Sequence, residues 1–169
     1  GKVRAIGAAN LDASHLRASL DAAAAHSLPR YDVLQTEYNL YAREAFEGAL
    51  RDLTTAEDIG VVCYFGLARG FLSGKYRSEA DLGQSARGSG VKDYLNDRGF
   101  GILSALDAVA EARGATQAEV ALAWLAAQSG VTAPIASATS VVQVDSLIRA
   151  ASLVLSADDI RALNEASAA

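Results

Sequence analysis

The sequence contains no methionine and a single cysteine, Cys63. One cysteine excludes an intrachain disulfide, which fits a reducing, cytoplasmic setting. Lysine and arginine are not clustered, and 15 basic against 20 acidic residues give a net charge of −5. Nucleic-acid binders usually carry a basic face, so no nucleic-acid partner is expected. No apolar run approaches the roughly 20 residues that span a bilayer, so no membrane partner is expected either. Cys and His do not cluster. His15 and His26 sit among polar neighbours, which reads as surface rather than as a metal site. No signal peptide is visible. The missing methionine leaves two readings open: a trimmed initiator before Gly1, or a chain cut from a longer one.

What is present is ordinary for a globular domain. Of the 169 residues, 51% are hydrophobic and 21% are charged. That supports one domain with its own core and argues against disorder. Four β-prone runs stand out, at residues 3–8, 33–40, 61–67 and 132–138. Helical periodicity separates them. Asp12 is a candidate N-cap for a helix through Leu16, Leu20 and Ala24. A second helix is predicted over 44–57 and a third over 97–113, with Gly114 as its stop. Thr116 and Glu119 have capping-box spacing ahead of a helix reaching Gln128. A fifth helix covers 141–151, and Ser156 with Asp159 caps a sixth. Gly1, Gly60 and Gly130 each precede a strand, which suggests a repeated helix-exit turn. Strands that alternate with helices imply a parallel sheet. The predicted fold is α/β, with four parallel βα units and two extra helices. The long Gly-, Ser- and Arg-containing stretch 68–96 follows the third strand directly. Loops after strand C-termini carry the ligand site in such folds. The alternative is a mobile surface insertion.

Several strings then point the same way. They are Gly1-Lys-Val-Arg-Ala-Ile-Gly-Ala-Ala-Asn10, Val33-Leu-Gln-Thr-Glu-Tyr-Asn-Leu-Tyr41 and the run from Gly60 to Tyr76. Ala121-Leu-Ala-Trp-Leu125, Pro134-Ile-Ala-Ser-Ala-Thr-Ser140 and Gln143 complete the set. In this order and spacing the chain resembles bacterial NADPH-dependent aldo-keto reductases over essentially its whole length. The resemblance begins at that family's fifth strand. A full (β/α)8 barrel needs about 250 residues, so it implies half a barrel, one single domain over 1–169. It also implies hydride transfer between a nicotinamide and a carbonyl. The acid is a tyrosine tuned by lysine, aspartate and histidine, and all four belong to the half with no counterpart here. No catalytic residue is therefore carried over.

The cofactor side is carried over. Asn10, Gln35 and Tyr64 match the contacts to the nicotinamide, with Tyr64 as its stacking face. Leu67, Gly70, Leu72 and Lys75 match the pyrophosphate loop. Ser137, Thr139, Ser140 and Gln143 match the site of the adenosine and its 2′-phosphate. The implied cofactor is NADP, with NAD left open because no arginine or lysine stands near Thr139. Ala9 replaces a serine of the family, and Asp58-Ile59-Gly60 lacks its helix-ending glycine. Read from the residues alone, Tyr64 could instead fill core, Asn10 could serve a turn and Lys75 could be solvated. Gln35 inside an apolar strand needs a partner if buried.

Three functions stay open: a nucleotide-binding reductase half with little activity, a competent reductase with a new site in a dimer, or a structural module. Tyr38 and Tyr64 are the candidate replacement acids. Half a barrel leaves two sheet edges unpaired and exposes Val33, Leu34, Val61, Val62 and Ile135 in part. A homodimer, or docking of a complementary half-barrel, would cover them. Sedimentation at micromolar concentration is expected to give a dimer; a compact, stable monomer would contradict self-association.

Overall fold

The computed structural model describes residues 1–84 and 88–168. Residues 85–87 of the predicted long loop and residue 169 lie outside the described residues. The chain runs β1 (Gly7–Ala9), α1 (Ala13–Ala25), β2 (Val33–Glu37), α2 (Ala49–Ala56) and β3 (Gly60–Tyr64). Short 3-10 turns follow at Ala68–Ser73, Glu79–Gln84 and Gly88–Tyr94. Then come α3 (Asp97–Arg113), α4 (Gln117–Ala126), β4 (Ala133–Pro134), α5 (Val141–Ser152) and α6 (Ala157–Ala166). The fold is α/β, with four parallel strands in the order β1-β2-β3-β4. Among the described residues, β1 and β4 each pair on one side only. None of the described helices is long and apolar enough to cross a membrane.

Side chains alternate between faces along each strand. Ala8, Leu34, Val61 and Cys63 are buried in one core with Leu16 and Leu20 of α1 and Leu50 of α2, and Thr36 is buried as well. Val33, Gln35, Glu37, Val62 and Tyr64 point the other way and are half-buried. The expectation that Leu34 and Val61 would be wetted is therefore corrected. Both have no exposed surface, because the helices cover their face. Of the apolar residues expected to meet water, Ile135 is exposed, and Val33 and Val62 are half-buried.

The strands are shorter than their β-prone runs. β1 begins at Gly7, because its partner begins at Val33 and, among the described residues, none pairs with residues 1–5. Only the Ile6 carbonyl reaches across, accepting from the Asp32 N–H at 2.9 Å. β2 ends at Glu37, opposite Tyr64, where β3 also ends. In β4, Pro134 has no N–H to donate. Its flanks still pair, through Thr132 N–H to Val61 O (2.8 Å) and Ile135 N–H to Cys63 O (2.7 Å). The exit turn before β3 also differs. The left-handed residue is Asp58 (φ 52), not Gly60. Aspartate tolerates that region better than most side chains.

Helix starts follow their caps. The Asp12 side chain accepts from His15 N–H, and Ser140 accepts from Gln143 N–H. Thr116–Glu119 and Ser156–Asp159 form complete capping boxes. Gly114 ends α3 in the left-handed conformation (φ 61). α2 starts later than predicted. The chain first turns through the Arg43 carbonyl, which accepts from Phe46 and Glu47 N–H. The Arg43 side chain binds Glu47 (2.8 Å), Ser167 Oγ (2.7 Å) and Asn164 O (3.0 Å), tying this turn to the end of α6. Trp124 Nε1 donates to Asn164 Oδ1 at 2.9 Å. Tyr38 belongs to the same buried network and donates to Glu47 Oε1 at 2.6 Å.

Glu119 does more than cap. Its side chain is 4% exposed. It accepts from Thr116 N–H (2.9 Å), Ser146 Oγ (2.8 Å) and Arg149 Nε (2.8 Å), joining α4 to α5. Burial alone would raise its pKa, but these three donors outweigh it and hold the carboxyl below its ordinary value. A depressed carboxylate stabilises the fold above its unfolded pKa. That stability is lost as pH falls from about 4.3 toward the lower folded value. Glu119→Ala is expected to cost about 1–3 kcal/mol at pH 7. Glu119→Gln, which keeps the cap acceptor, should cost less and flatten the acid limb of a stability-against-pH curve. Denaturant unfolding across pH 3–7 checks both.

Candidate functional site

The segment after β3 turns sharply. Phe65 (φ 53), Ala68 (φ 45) and Arg69 (φ 60) all take positive φ without being glycine. Three such residues within five positions mark a backbone held by its surroundings. The holding groups are visible. Buried Asn39 donates to Phe65 O at 3.0 Å, while its Oδ1 accepts from Tyr41 and Ala42 N–H. Ala68 N–H bonds Phe65 O (2.7 Å) and Gly70 N–H bonds Leu67 O (2.8 Å). Gly66 lets the loop lie on α4: a Cβ there would sit 3.0 Å from Leu125 and 3.1 Å from Leu122.

This loop forms one wall of a cavity of about 540 Å³ at the C-terminal end of β3. The other wall is the segment after β4 and the first turns of α5. Of the residues predicted from sequence, Tyr64, Leu67, Gly70, Lys75, Ser137 and Gln143 line it together. Leu72 does not; it is fully buried beneath the loop and acts as its apolar anchor. Thr139 and Ser140 stand behind Gln143. Thr139 N–H and Oγ1 both donate to Gln143 Oε1, at 2.7 and 3.1 Å, and Ser140 caps the helix. Asn10 and Gln35 lie outside the cavity wall. Asn10, at φ 59, donates its N–H to Gln35 O at 2.9 Å. Gln35 stands in register between Ala9 and Val62 on the open face.

Sequence reasoning missed Arg69, which lines the cavity with Lys75. Its guanidinium lies 5.1 Å from the centre of the Phe65 ring. Lys75 Nζ is 4.9 Å from the Tyr76 ring. Two cations braced on aromatic rings thus face one space. Only part of the signal was available: Arg69 lies inside the Leu67–Lys75 stretch that matches a phosphate loop, but its orientation depends on the positive φ and the Phe65 contact. Ser146 of α5 was missed as well. Tyr64 packs edge-on against Phe65 at 5.1 Å and keeps part of its ring exposed to the cavity. Tyr94 has its pKa raised, by burial first and then by the charge of Glu37, with Arg69 opposing. Tyr38 is not a donor at this site. It is buried on the helix-covered face, where burial and its bond to Glu47 push its pKa up. Burial likewise pushes the Cys63 thiol up to about 12, so it stays protonated near neutral pH. Among the described residues no Cys, His, Asp and Glu group of three or more could hold a metal.

The Aldo/keto reductase family profile matches residues 1–168. Protein tas of Escherichia coli K12 is 30% identical over 160 residues, covering 94% of this chain and 46% of that protein. A probable aldo-keto reductase 1 of Glycine max is 29% identical over 168 residues, covering 98% of this chain and 46% of its own length. The aldo-keto reductase yakc [NADP(+)] of Schizosaccharomyces pombe is 26% identical over 169 residues, covering 98% and 48%. The chain spans about half the length of these relatives. With the family profile matched over nearly every residue, and with strand ends and loop converging on one cavity, this chain belongs to the aldo/keto reductase family.

Proposed function

We propose that this chain is the nicotinamide-nucleotide-binding half of an aldo-keto reductase barrel. The observation that carries this is the pairing of Arg69 and Lys75 on one wall of a cavity whose edge is the Tyr64 ring. A diphosphate needs two or more donors of positive charge, and guanidinium and ammonium groups supply strong charge-assisted hydrogen bonds. An aromatic face beside them suits a flat heterocycle. The volume is of the size that takes part of a dinucleotide, with the remainder lying along the open face toward Gln35 and Asn10. When bound, the nicotinamide would supply hydride to a carbonyl carbon. Tyr64 then orients the ring, and Gln35 and Asn10 reach its carboxamide. Ser137 and the Thr139–Ser140–Gln143 corner hold the adenosine.

The acid that protonates the carbonyl oxygen is proposed to come from a second unit. Tyr38 is on the wrong face, and Tyr64 has the stacking role. A second unit is supported by three features: the edges of β1 and β4 that no described strand pairs, the half-buried inner face, and an apolar stripe on α5. Val141, Val144 and Ile148 on that stripe are 75%, 46% and 61% exposed. Four further parallel strands, from a second copy or a complementary half-barrel, would pair both edges. Its setting is proposed to be cytoplasmic, in keeping with the lone buried thiol.

Fluorescence titration with NADH and NADPH tests the binding site. Saturable binding of at least one nucleotide is expected. Arg69→Ala and Lys75→Ala should each weaken it about tenfold, equivalent to about 1.4 kcal/mol. Tyr64→Phe should keep most of the affinity, whereas Tyr64→Ala should lose it in part. Binding untouched by both cation removals would place the nucleotide elsewhere.

A further inference from the structure

Resting on that assignment of the cavity, we infer that the 3-10 turn Gly88–Tyr94 is the positioning element for the Arg69 cation, with Gly90 as its contact. An arginine on an exposed loop has many rotamers, and holding it in one lowers the cost of binding an anion. A carboxylate partner would hold the side chain but also neutralise it. Arg77 shows that case: its two terminal nitrogens lie 2.8 and 2.6 Å from the Asp107 oxygens. The groups that grip Arg69 are uncharged, so they leave its charge for a ligand.

Two surfaces form the grip. The Phe65 ring, 5.1 Å from the guanidinium carbon, is within reach of a cation–π contact. The Gly90 main chain is the second. A Cβ built on Gly90 would stand 3.1 Å from Arg69 Nη1 and 3.5 Å from its Cδ. Among the described residues, Arg69 is the one neighbour within 4 Å of that position. The φ of Gly90 lies outside the left-handed region, so the backbone does not require glycine there. What the missing side chain permits is the close approach to Arg69.

The turn is anchored away from the cavity. Val91 has no exposed surface. Tyr94 stacks on Phe71 at 5.4 Å and meets Tyr41 edge-on at 4.7 Å. A Cβ on Gly99 would collide with Tyr94 O, so the first turn of α3 seats directly against the end of this turn. Asn96 Nδ2 donates to Tyr41 OH and to Asp93 O, both at 2.8 Å. Phe71 is two residues from Arg69, so one aromatic cluster fixes both the turn and the base of the side chain it grips. Gly90 is not among the residues that line the cavity, so it reaches an anion there only through Arg69.

The test is equilibrium binding of NADH and NADPH to the whole chain, using whichever binds tighter, for Gly90→Ala and Gly90→Val, alone and in an Arg69→Ala background. Gly90→Ala is expected to weaken binding about threefold and Gly90→Val about tenfold, because each side chain displaces the guanidinium further. Neither should weaken it again once Arg69 is alanine, a coupling that a general loss of structure does not produce. Gly83→Ala, in the same loop and facing open space among the described residues, should bind as the unmodified chain does. Thermal midpoints report folding, and Gly90→Ala carries the cycle by itself if the valine variant is unfolded. Unchanged binding in the Gly90 variants, with Arg69→Ala still weakened, overturns the positioning role and leaves the cavity assignment standing. An equal loss in the Arg69→Ala background overturns it too, since the turn would then act through other groups. No effect of Arg69→Ala, or no saturable binding of either nucleotide, overturns the cavity assignment and the positioning role together.

Discussion

Five residues of β2 lie in register with five of β3, from Val33 opposite Gly60 to Glu37 opposite Tyr64. That pairing sorts every neighbouring side chain between two faces, because the period of a strand is two. Leu34 and Thr36 pair with Val61 and Cys63 under the helices, and Gln35 and Glu37 pair with Val62 and Tyr64 on the open side. A slip of one residue would bury Gln35 and Tyr64 and expose the core. The location of the site is thus a consequence of the packing of α1 and α2 against one face. The two strands also end together, so the chain leaves both at one level and builds its loops there.

The loop after β3 depends on that shared end. Phe65, Ala68 and Arg69 occupy conformations that cost about 1–3 kcal/mol each for ordinary side chains. Asn39, from the turn after β2, fastens Phe65 O, and Gly66 lets the loop settle on Leu122 and Leu125. Leu72 and Phe71 are driven into the core, which projects Arg69 and Lys75 outward. The cations are therefore positioned by apolar burial, and the backbone strain is offset by packing. The opposite wall is set by Glu119, which caps α4 and fixes α5 through Ser146 and Arg149. One carboxylate thereby orients the helix start that meets the adenosine in the proposed complex.

Much of this was legible in the sequence. The caps at Asp12, Thr116, Ser140 and Ser156 are local chemistry, so they gave helix starts without reference to the rest of the chain. Strand lengths were not legible, because a strand extends only where a neighbour pairs with it, and residues 1–5 have none among the described residues. Parity within β2 contained more than was taken from it. Tyr38 shares the parity of Leu34 and Thr36, which places it with the covered face and removes it as a proton donor. Leu34 and Val61 follow the same rule. Arg69 escaped notice because its stretch was read as backbone and Lys75. Its role needs the positive φ and the Phe65 contact, and both are tertiary. Asn10 follows the end of β1 and Gln35 sits in the middle of β2, whereas the cavity is lined by the β3 loop, α4 and the segment from β4 into α5.

Hydrogen–deuterium exchange of the chain with and without saturating NADH tests the central assignment most directly. Slowed exchange centred on residues 65–75 and 137–147 is the predicted result, since those segments form the two walls. Slowed exchange only in other segments, such as the α1–α2 surface, would contradict it, as would no change in the presence of bound nucleotide.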